Sequence, residues 1–280
     1  MDAEAAKERT PLLSVHALKK YFPVRTAILR RTIDLIKAVD GVDFDLHSGE
    51  VVGVVGESGC GKSTLARTVI RLIPATSGQI TYRGKDLLAC SRKELQLLRP
   101  EMQIIFQDPV GSLNPRKRIV DAIGEGVRYH GLAASPKEER DLVVEAIEMV
   151  GLSSHIIERY PYQFSGGQQQ RICIARAIAL KPRLLVCDEA LSALDVSVQA
   201  QIVNLLATLK VRLGLSYLFI SHDLSVVHYF CDRVLVLYFG RVVENGPTEE
   251  LFDNPSHPYT RALLSAIPCL HPRDRYIKMD

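Results

Sequence analysis

Two short strings in this 280-residue sequence have the residue types and spacing of phosphate and metal chemistry. The first, Gly56-Glu57-Ser58-Gly59-Cys60-Gly61-Lys62-Ser63-Thr64, fits the pattern G-x-x-x-x-G-K-[ST]. Its glycines let a tight loop aim several backbone N–H groups at one anion, and a helix beginning at its end adds favourable partial charge. In such a loop Lys62 neutralises phosphate charge and the Ser63 hydroxyl ligates Mg²⁺. The second, Leu184-Leu185-Val186-Cys187-Asp188-Glu189, is an apolar run ending in two carboxylates. At the C-terminal edge of a strand, Asp188 holds the hydration shell of a metal ion and Glu189 orients or deprotonates an attacking water. Singly, a glycine-rich turn matches by chance and two acids merely solvate a strand end. Together in one chain they predict a site for a nucleoside triphosphate.

A third string, Phe164-Ser165-Gly166-Gly167-Gln168, precedes an apolar helix predicted over 168–180. It makes a second helix N-terminus suited to an anion. One nucleotide rarely needs two such ends from the same chain, so this one is expected to complete a site on another copy or on a partner.

The elements that must position these strings follow from periodicity. Short runs rich in Val, Ile and Leu alternate with longer helical patterns, which predicts an α/β fold with a mainly parallel sheet. Buried strands are predicted over 51–55, 103–106, 184–187 and 217–221, and a helix over 62–72 follows the glycine-rich loop. Segments 233–238 and 241–244, joined through Phe239-Gly240, read as a closing hairpin. Segment 38–46 alternates apolar and polar residues, as an antiparallel strand with one wet face does. Between 108 and 165 the pattern changes. Pro109, Gly111, Pro115, Gly131 and Pro136 punctuate it, and Leu142, Val143, Ala146, Ile147 and Val150 recur at helical spacing. This stretch reads as a small helical subdomain inserted in the sheet domain. After Gly246 a tail containing Asn254-Pro255-Ser256-His257-Pro258-Tyr259 leads into a short helix through Leu264.

Composition sets the outer limits. With 47% hydrophobic and 24% charged residues the chain suits a globular domain large enough to bury a core. A formal charge of +3 is too weak a bias to imply a nucleic-acid partner, and none is expected. The apolar runs fall far short of the ~20 residues a membrane-spanning helix needs. Residues 1–10, read as an N-terminal tail, lack the apolar core of a signal peptide. The chain is therefore expected in the cytosol, or at a membrane only through other subunits. The six cysteines (Cys60, Cys90, Cys173, Cys187, Cys231 and Cys269) are dispersed, which argues against a zinc site and against disulfides. Most are expected to be small apolar fillers. Cys60, inside the glycine-rich loop, is expected to be open to alkylation when no nucleotide is bound.

Together these strings resemble the nucleotide-binding subunit of an ATP-binding-cassette transporter, over nearly the whole chain. The loop over 56–64 and the acids Asp188 and Glu189 resemble the two Walker motifs. Phe164 to Gln168 resembles the signature L-S-G-G-Q, with Phe164 in place of leucine. The resemblance implies a P-loop NTPase (RecA-like) α/β core, an antiparallel β subdomain and an inserted α-helical subdomain at about 108–165. It implies an ATPase domain over 11–246 and a C-terminal extension over 247–280. It gives Gln107 the role of the Q-loop glutamine, which reaches metal and water. Ser192-Ala193-Leu194-Asp195 becomes the D-loop at a dimer interface, and His222 the switch histidine at the γ-phosphate. Phe22 becomes the aromatic that stacks on adenine, with adjacent Tyr21 as the alternative.

The implied site is then as follows. Phe22 and Gly56, Glu57, Ser58, Gly59, Cys60, Gly61, Lys62, Ser63 and Thr64 bind ATP. Ser165, Gly166, Gly167, Gln168 and Asp195 serve the nucleotide of a facing cassette. Ser63, Gln107 and Asp188 hold Mg²⁺, and Glu189, His222 and Gln107 act in catalysis.

Three further strings resemble one subfamily, the ATPases of oligopeptide and dipeptide importers. They are Gln107-Asp108-Pro109 running through Ser112-Leu113-Asn114-Pro115-Arg116, the run Val196-Ser197-Val198-Gln199-Ala200-Gln201, and the tail's Asn254-Pro255 with His257-Pro258-Tyr259-Thr260. This implies a second cassette subunit (the same chain or a homologue), two transmembrane permease subunits and, indirectly, an extracytoplasmic solute-binding protein. It implies a peripheral place on the cytoplasmic face of the membrane. The subfamily also includes importers of nickel, glutathione and other small solutes. Many of its members carry a cysteine-rich iron–sulfur segment. With only Cys269 in the tail, no cluster is expected here. Cassettes that act on DNA or ribosomes usually pair two cassettes in one chain or carry a coiled coil, and no heptads occur here. An exporter shares the catalytic parts, and only the importer-like strings argue against it.

Overall fold

The computed structural model describes residues 10–25 and 32–265. Most of the expected N-terminal tail, and Cys269, lie outside the described residues. Chain order runs β1 (Leu13–Arg25), β2 (Thr32–Leu46), β3 (Val51–Val55), α1 (Lys62–Val69), β4 (Ser77–Tyr82), β5 (Lys85–Asp86), α2 (Arg92–Leu98), β6 (Met102–Ile105) and α3 (Pro109–Ser112). Then come α4 (Ile119–Tyr129), α5 (Pro136–Met149), α6 (Gly166–Ile178), β7 (Leu184–Asp188), α7 (Val196–Leu213), β8 (Ser216–Ile220) and α8 (Leu224–Phe230). The chain continues through β9 (Arg233–Tyr238), β10 (Arg241–Pro247), α9 (Thr248–Asp253) and α10 (Pro258–Ser265).

Six strands form one sheet in the order β10-β9-β3-β8-β7-β6, and four form a second in the order β2-β1-β4-β5. In the larger sheet every neighbouring pair is parallel except β9 with β10. The smaller sheet is antiparallel throughout. The expected fold class, a mainly parallel α/β sheet with an antiparallel β part, therefore holds.

Both faces of the parallel sheet are covered, which is why its strands read as unbroken apolar runs. Successive side chains leave a strand on opposite faces. Val51 and Val55 join a core with α4 to α8, whereas Val52 and Val54 join a second core with α1 and the antiparallel sheet. The same division separates Tyr217 and Phe219 from Leu218 and Ile220 on β8. Each such fully buried side chain contributes about 1.5–3 kcal/mol. The segment between β6 and α6 is helical, with α4, α5 and α6 packed on one another through Ile123, Val127, Val143, Ile147 and Ile172.

Predicted boundaries shift by a few residues. The strand expected over 103–106 is Met102–Ile105, so Phe106 as well as Gln107 lies beyond its end. The helix expected over 62–72 stops at Val69, and Arg71 takes a left-handed φ of 54° that no helix continues through. The tail holds two short helices, α9 and α10, where one was expected. The 18-residue α7 was not anticipated as a helix. Its first turn contains no acid, and Asp195 makes no side-chain cap, so its start lacks the usual local signals. Among the described residues no helix is long and apolar enough to cross a membrane.

Candidate active site

Strands β3, β8 and β7 are consecutive parallel neighbours, so their C-terminal ends reach the same edge of the sheet. That edge is where open α/β sheets collect ligands. Each strand delivers one part of the site: the glycine-rich loop after β3, His222 after β8, and Asp188-Glu189 at the end of β7. A cavity of about 910 Å³ opens there. Its walls include Ser58, Gly59, Cys60, Gly61, Lys62, Ser63 and Thr64 from the loop, with Gln107, Glu189 and Phe22. Residues more than a hundred positions apart in sequence thus face one space.

The loop depends on glycine at Gly61. Gly61 caps α1 with φ 111°, and a Cβ there would stand 2.0 Å from the Ala38 carbonyl oxygen. Only glycine takes that conformation in that space. Lys62 is the buried cation of the site, 4% exposed. Its ammonium donates to the Gly56 carbonyl at 2.7 Å and the Glu57 carbonyl at 2.9 Å, and it lies 3.9 Å from Glu189 Oε1. Those bonds satisfy a charge that would otherwise be costly to bury. They also hold the ammonium at the wall of the cavity.

Glu189 has a left-handed backbone, φ 50°, an uncommon conformation for a residue with a Cβ. Its N–H donates to the Ile220 carbonyl of β8 at 3.1 Å. Its carbonyl accepts from the Ser192 N–H at 3.1 Å and the Ser192 hydroxyl at 3.0 Å. These tethers on both sides sustain the strain, as is common at functional positions. The carboxylate consequently sits between Lys62 and His222, whose Nδ1 is 3.8 Å from Glu189 Oε2.

Asp188, one residue earlier, is almost wholly buried. Arg67 of α1 binds its Oδ2 through Nε at 3.1 Å and Nη2 at 3.0 Å. Its Oδ1 is a buried acceptor with no hydrogen-bond partner among the described residues. A buried polar atom left unpaired calls for a water or an ion. A hard oxygen donor of this kind suits a hydrated Mg²⁺, and Ser63 and Gln107 line the cavity, whereas Asp188 itself does not.

The structure separates the expected nucleotide residues into three groups. Ser58 to Thr64 and Phe22 line the cavity, while Gly56 and Glu57 stand behind it as backbone partners of Lys62. Ser165, Gly166, Gly167, Gln168 and Asp195 do not line it. Ser165 and Gln168 form a reciprocal capping box at the start of α6, with Ser165 N–H donating to Gln168 Oε1 at 3.1 Å. Ser165, Gly166, Gln168 and Asp195 are exposed. Between Phe22 and Tyr21 the geometry discriminates. The Tyr21 hydroxyl donates to Asp40 Oδ1, and Phe22 lines the cavity with the Lys20 ammonium 4.7 Å from its ring centre.

Sequence reasoning missed other parts of the wall. Asp40, Phe239, Gly240 and Arg241 line the same cavity. The Gly240 carbonyl accepts the Asp40 N–H at 2.8 Å, and its own N–H donates to the Cys60 carbonyl at 2.9 Å. The β9–β10 turn therefore ties the antiparallel sheet to the glycine-rich loop. Asp40 Oδ2 takes Arg241 Nε at 3.0 Å and Nη2 at 2.6 Å. The Tyr21 hydroxyl and then Arg241 hold the Asp40 carboxyl below its ordinary range. No spacing in the sequence signals these contacts, because they exist only where the two sheets meet. Cys60 lines the cavity yet is only 8% exposed, and burial pushes its thiol pKa up.

Comparison with known proteins agrees with this geometry. The ABC transporter family model matches residues 39–192, and the model for the oligopeptide/dipeptide transporter C-terminal region matches residues 243–279. The chain belongs to the ABC transporter family. It is 49% identical over 269 residues to the dipeptide transport ATP-binding protein DppF of Haemophilus influenzae, covering 96% of this chain and 82% of that protein. It is 52% identical over 266 residues to a putative peptide import ATP-binding protein of Brucella ovis, covering 95% and 81%. Among solved structures, a dimeric ATP-binding cassette in a post-hydrolysis state bound to ADP and Pi superposes with a TM-score of 0.74 at 26% identity, over 84% of this chain and 98% of that one. The cassette cbiO1 of Clostridium perfringens, part of the ABC transporter complex cbiONQ, gives 0.74 at 28% identity, over 87% and 91%.

Proposed function

We propose that this chain is the ATP-binding and ATP-hydrolysing subunit that energises an ABC importer of oligopeptides or dipeptides. The observation that carries the reading is Glu189, strained at the end of β7 and held between Lys62 and His222 at the edge of the loop cavity. A phosphate-binding loop alone binds nucleotide. A carboxylate fixed beside it can also aim a water at the terminal phosphate.

In this reading the backbone N–H groups of 58–64 cradle the phosphates of ATP. Lys62 keeps two ammonium protons on the Gly56 and Glu57 carbonyls and directs the third to a phosphate oxygen, and Phe22 stacks on the adenine. Ser63, Gln107 and the free Oδ1 of Asp188 hold Mg²⁺, which supplies charge neutralisation across the phosphates. Glu189 orients the attacking water, and His222 contacts the γ-phosphate. The exposed N-terminus of α6, with Ser165, Gly166, Gly167 and Gln168, closes over the nucleotide of a facing cassette, and Asp195 lies at the interface so formed. Two cassettes thereby enclose two ATP molecules. The closed pair binds ATP in preference to ADP, and that difference in affinity shifts the equilibrium between closed and open states.

The ATPase domain spans about 11–246, with the helical subdomain over 108–165 moving the permease subunits, and the extension spans 247–280. The second cassette is the same chain or a homologue. The chain sits at the cytoplasmic face of the membrane through two permease subunits that receive solute from an extracytoplasmic binding protein. The match of residues 243–279 and the peptide-import relatives support peptides as the solute class.

The test is Glu189→Gln, which keeps shape and removes the base. ATP binding by calorimetry is expected to persist, hydrolysis to fall about 10²- to 10⁴-fold, and ATP to trap a dimer on size-exclusion chromatography. Turnover at the wild-type rate sinks the assignment.

A further inference from the structure

The C-terminal extension reaches the glycine-rich loop directly. The Glu57 N–H donates to the Tyr259 hydroxyl at 2.9 Å, across 202 positions of sequence. That N–H belongs to the same peptide unit as the Gly56 carbonyl, which accepts the Lys62 ammonium at 2.7 Å. One peptide plane of the loop is therefore held at both ends, by Lys62 on the carbonyl side and by Tyr259 on the amide side.

Tyr259 is itself well anchored. Its ring lies against Tyr238 at the end of β9, with centroids 4.2 Å apart. Its N–H donates to His257 Nδ1 at 3.1 Å. The Glu244 carboxylate of β10 accepts the Ser256 N–H at 2.7 Å and the His257 N–H at 3.1 Å, which fixes the turn entering α10. Thr260, next in sequence, is buried. A residue held this firmly can impose an orientation on the loop that it touches.

We propose that Tyr259 is a positioning residue for nucleotide binding: its hydroxyl fixes the Gly56–Glu57 peptide so that the loop and Lys62 are pre-set for phosphate. The inference rests on the reading of 56–64 as the ATP site. Without the hydroxyl, the Gly56–Glu57 amide loses its partner and the peptide is free to rotate, which takes the carbonyl away from Lys62. ATP must then order the loop at the expense of binding free energy. The hydrolytic geometry, set by Glu189 on another strand, is unaffected once ATP is bound. The extension is thus part of the nucleotide site from behind, and its His-Pro-Tyr string acquires a physical role.

Tyr259→Phe in the 280-residue chain removes the hydroxyl and keeps the ring against Tyr238. ATP affinity by calorimetry and KM for ATP are expected to weaken about 3- to 10-fold, the range for one neutral hydrogen bond, with kcat and the urea midpoint unchanged. Tyr259→Ala is expected to lose both affinity and stability, with Phe rescuing only the stability. Equal ATP affinity in wild type and Tyr259→Phe overturns the proposal, as does a parallel fall in kcat and stability. Should the variant fail to fold, hydrogen exchange in the wild-type chain decides. The Glu57 amide is expected to be protected, and fast exchange overturns the role. A wild-type chain that binds no ATP overturns the reading on which the proposal rests, which separates that failure from the others.

Discussion

Arg67 and Asp188 meet across the boundary between α1 and β7, 121 positions apart, with Nε at 3.1 Å and Nη2 at 3.0 Å from the same carboxylate oxygen. The grip is one-sided. Among the described residues it leaves Oδ1 buried and unpaired, and so fixes which oxygen of Asp188 stays open to a further ligand. The guanidinium offers several donors in a rigid plane, which a lysine ammonium cannot reproduce. Arg67 thus orients the carboxylate from the helix that follows the phosphate loop.

From that geometry, Arg67→Ala is expected to leave Asp188 free to turn and one buried charge without its partner. Urea unfolding is expected to show a loss of about 1.5–3 kcal/mol, the scale of hydrogen bonds to a charged group. The Mg²⁺ concentration giving half-maximal hydrolysis is expected to rise several-fold, whereas ATP binding measured without Mg²⁺ changes little. An unchanged Mg²⁺ dependence argues against the orienting role.

Lys62→Ala removes the buried ammonium that holds the Gly56 and Glu57 carbonyls. The loop loses an internal clamp as well as the charge intended for phosphate. ATP binding by calorimetry is expected to weaken by at least tenfold, since hydrogen bonds to charged groups contribute about 1.5–3 kcal/mol each. ATP affinity equal to wild type would remove 56–64 from the nucleotide site.

Gly167 sits where α6 passes α7, and a Cβ on it would stand 2.6 Å from Val198 Cγ1. Gly167→Ala therefore forces the α6 N-terminus or the Val198 side chain to shift, at about 1–3 kcal/mol of overpacking. The double variant Gly167→Ala with Val198→Ala is expected to recover most of the stability in urea unfolding. Failure of Val198→Ala to compensate shows that the contact is not what limits residue size at 167.

Cys60 is buried and its thiol is pushed up by burial, so the thiolate fraction at neutral pH is smaller than for a free cysteine. Alkylation by iodoacetamide, mapped to Cys60 by mass spectrometry, is expected to be slow at pH 7 even without nucleotide. It is expected to rise with pH as the thiol ionises. Rapid modification at pH 7 means that the loop opens on its own. The same measurement tests the expectation, drawn from sequence position, that Cys60 is open to alkylation when no nucleotide is bound.

The extent of what the sequence determined follows from the range of the interactions involved. The strand over 51–55, the loop over 56–64, the acids at 188–189 and a helix after Ser165 were legible, because apolar runs, glycines and caps act over a few neighbouring residues, although the helix expected over 168–180 runs from Gly166 to Ile178. The helical nature of 196–213 was not, because its start carries no local cap and its apolar face is defined by what packs on it. The alternation in 38–46 predicted its wet and dry faces, with Val39, Val42, Phe44 and Leu46 buried. It said nothing of Asp40 meeting Arg241.

What only the tertiary structure decided is which distant residues stand beside the loop. The order β3-β8-β7 brings Lys62, His222 and Glu189 to one edge, and parallel strand direction makes their ends coincide. The choice of Phe22 over Tyr21 for the cavity, the grip of Arg67 on Asp188 and the bond from Glu57 to Tyr259 depend on the same assembly. Sequence determined the chemical groups, since these reside in single residues and short strings. Their mutual distances come from packing two sheets around α1, a cooperative result of burying two apolar cores that no local string encodes.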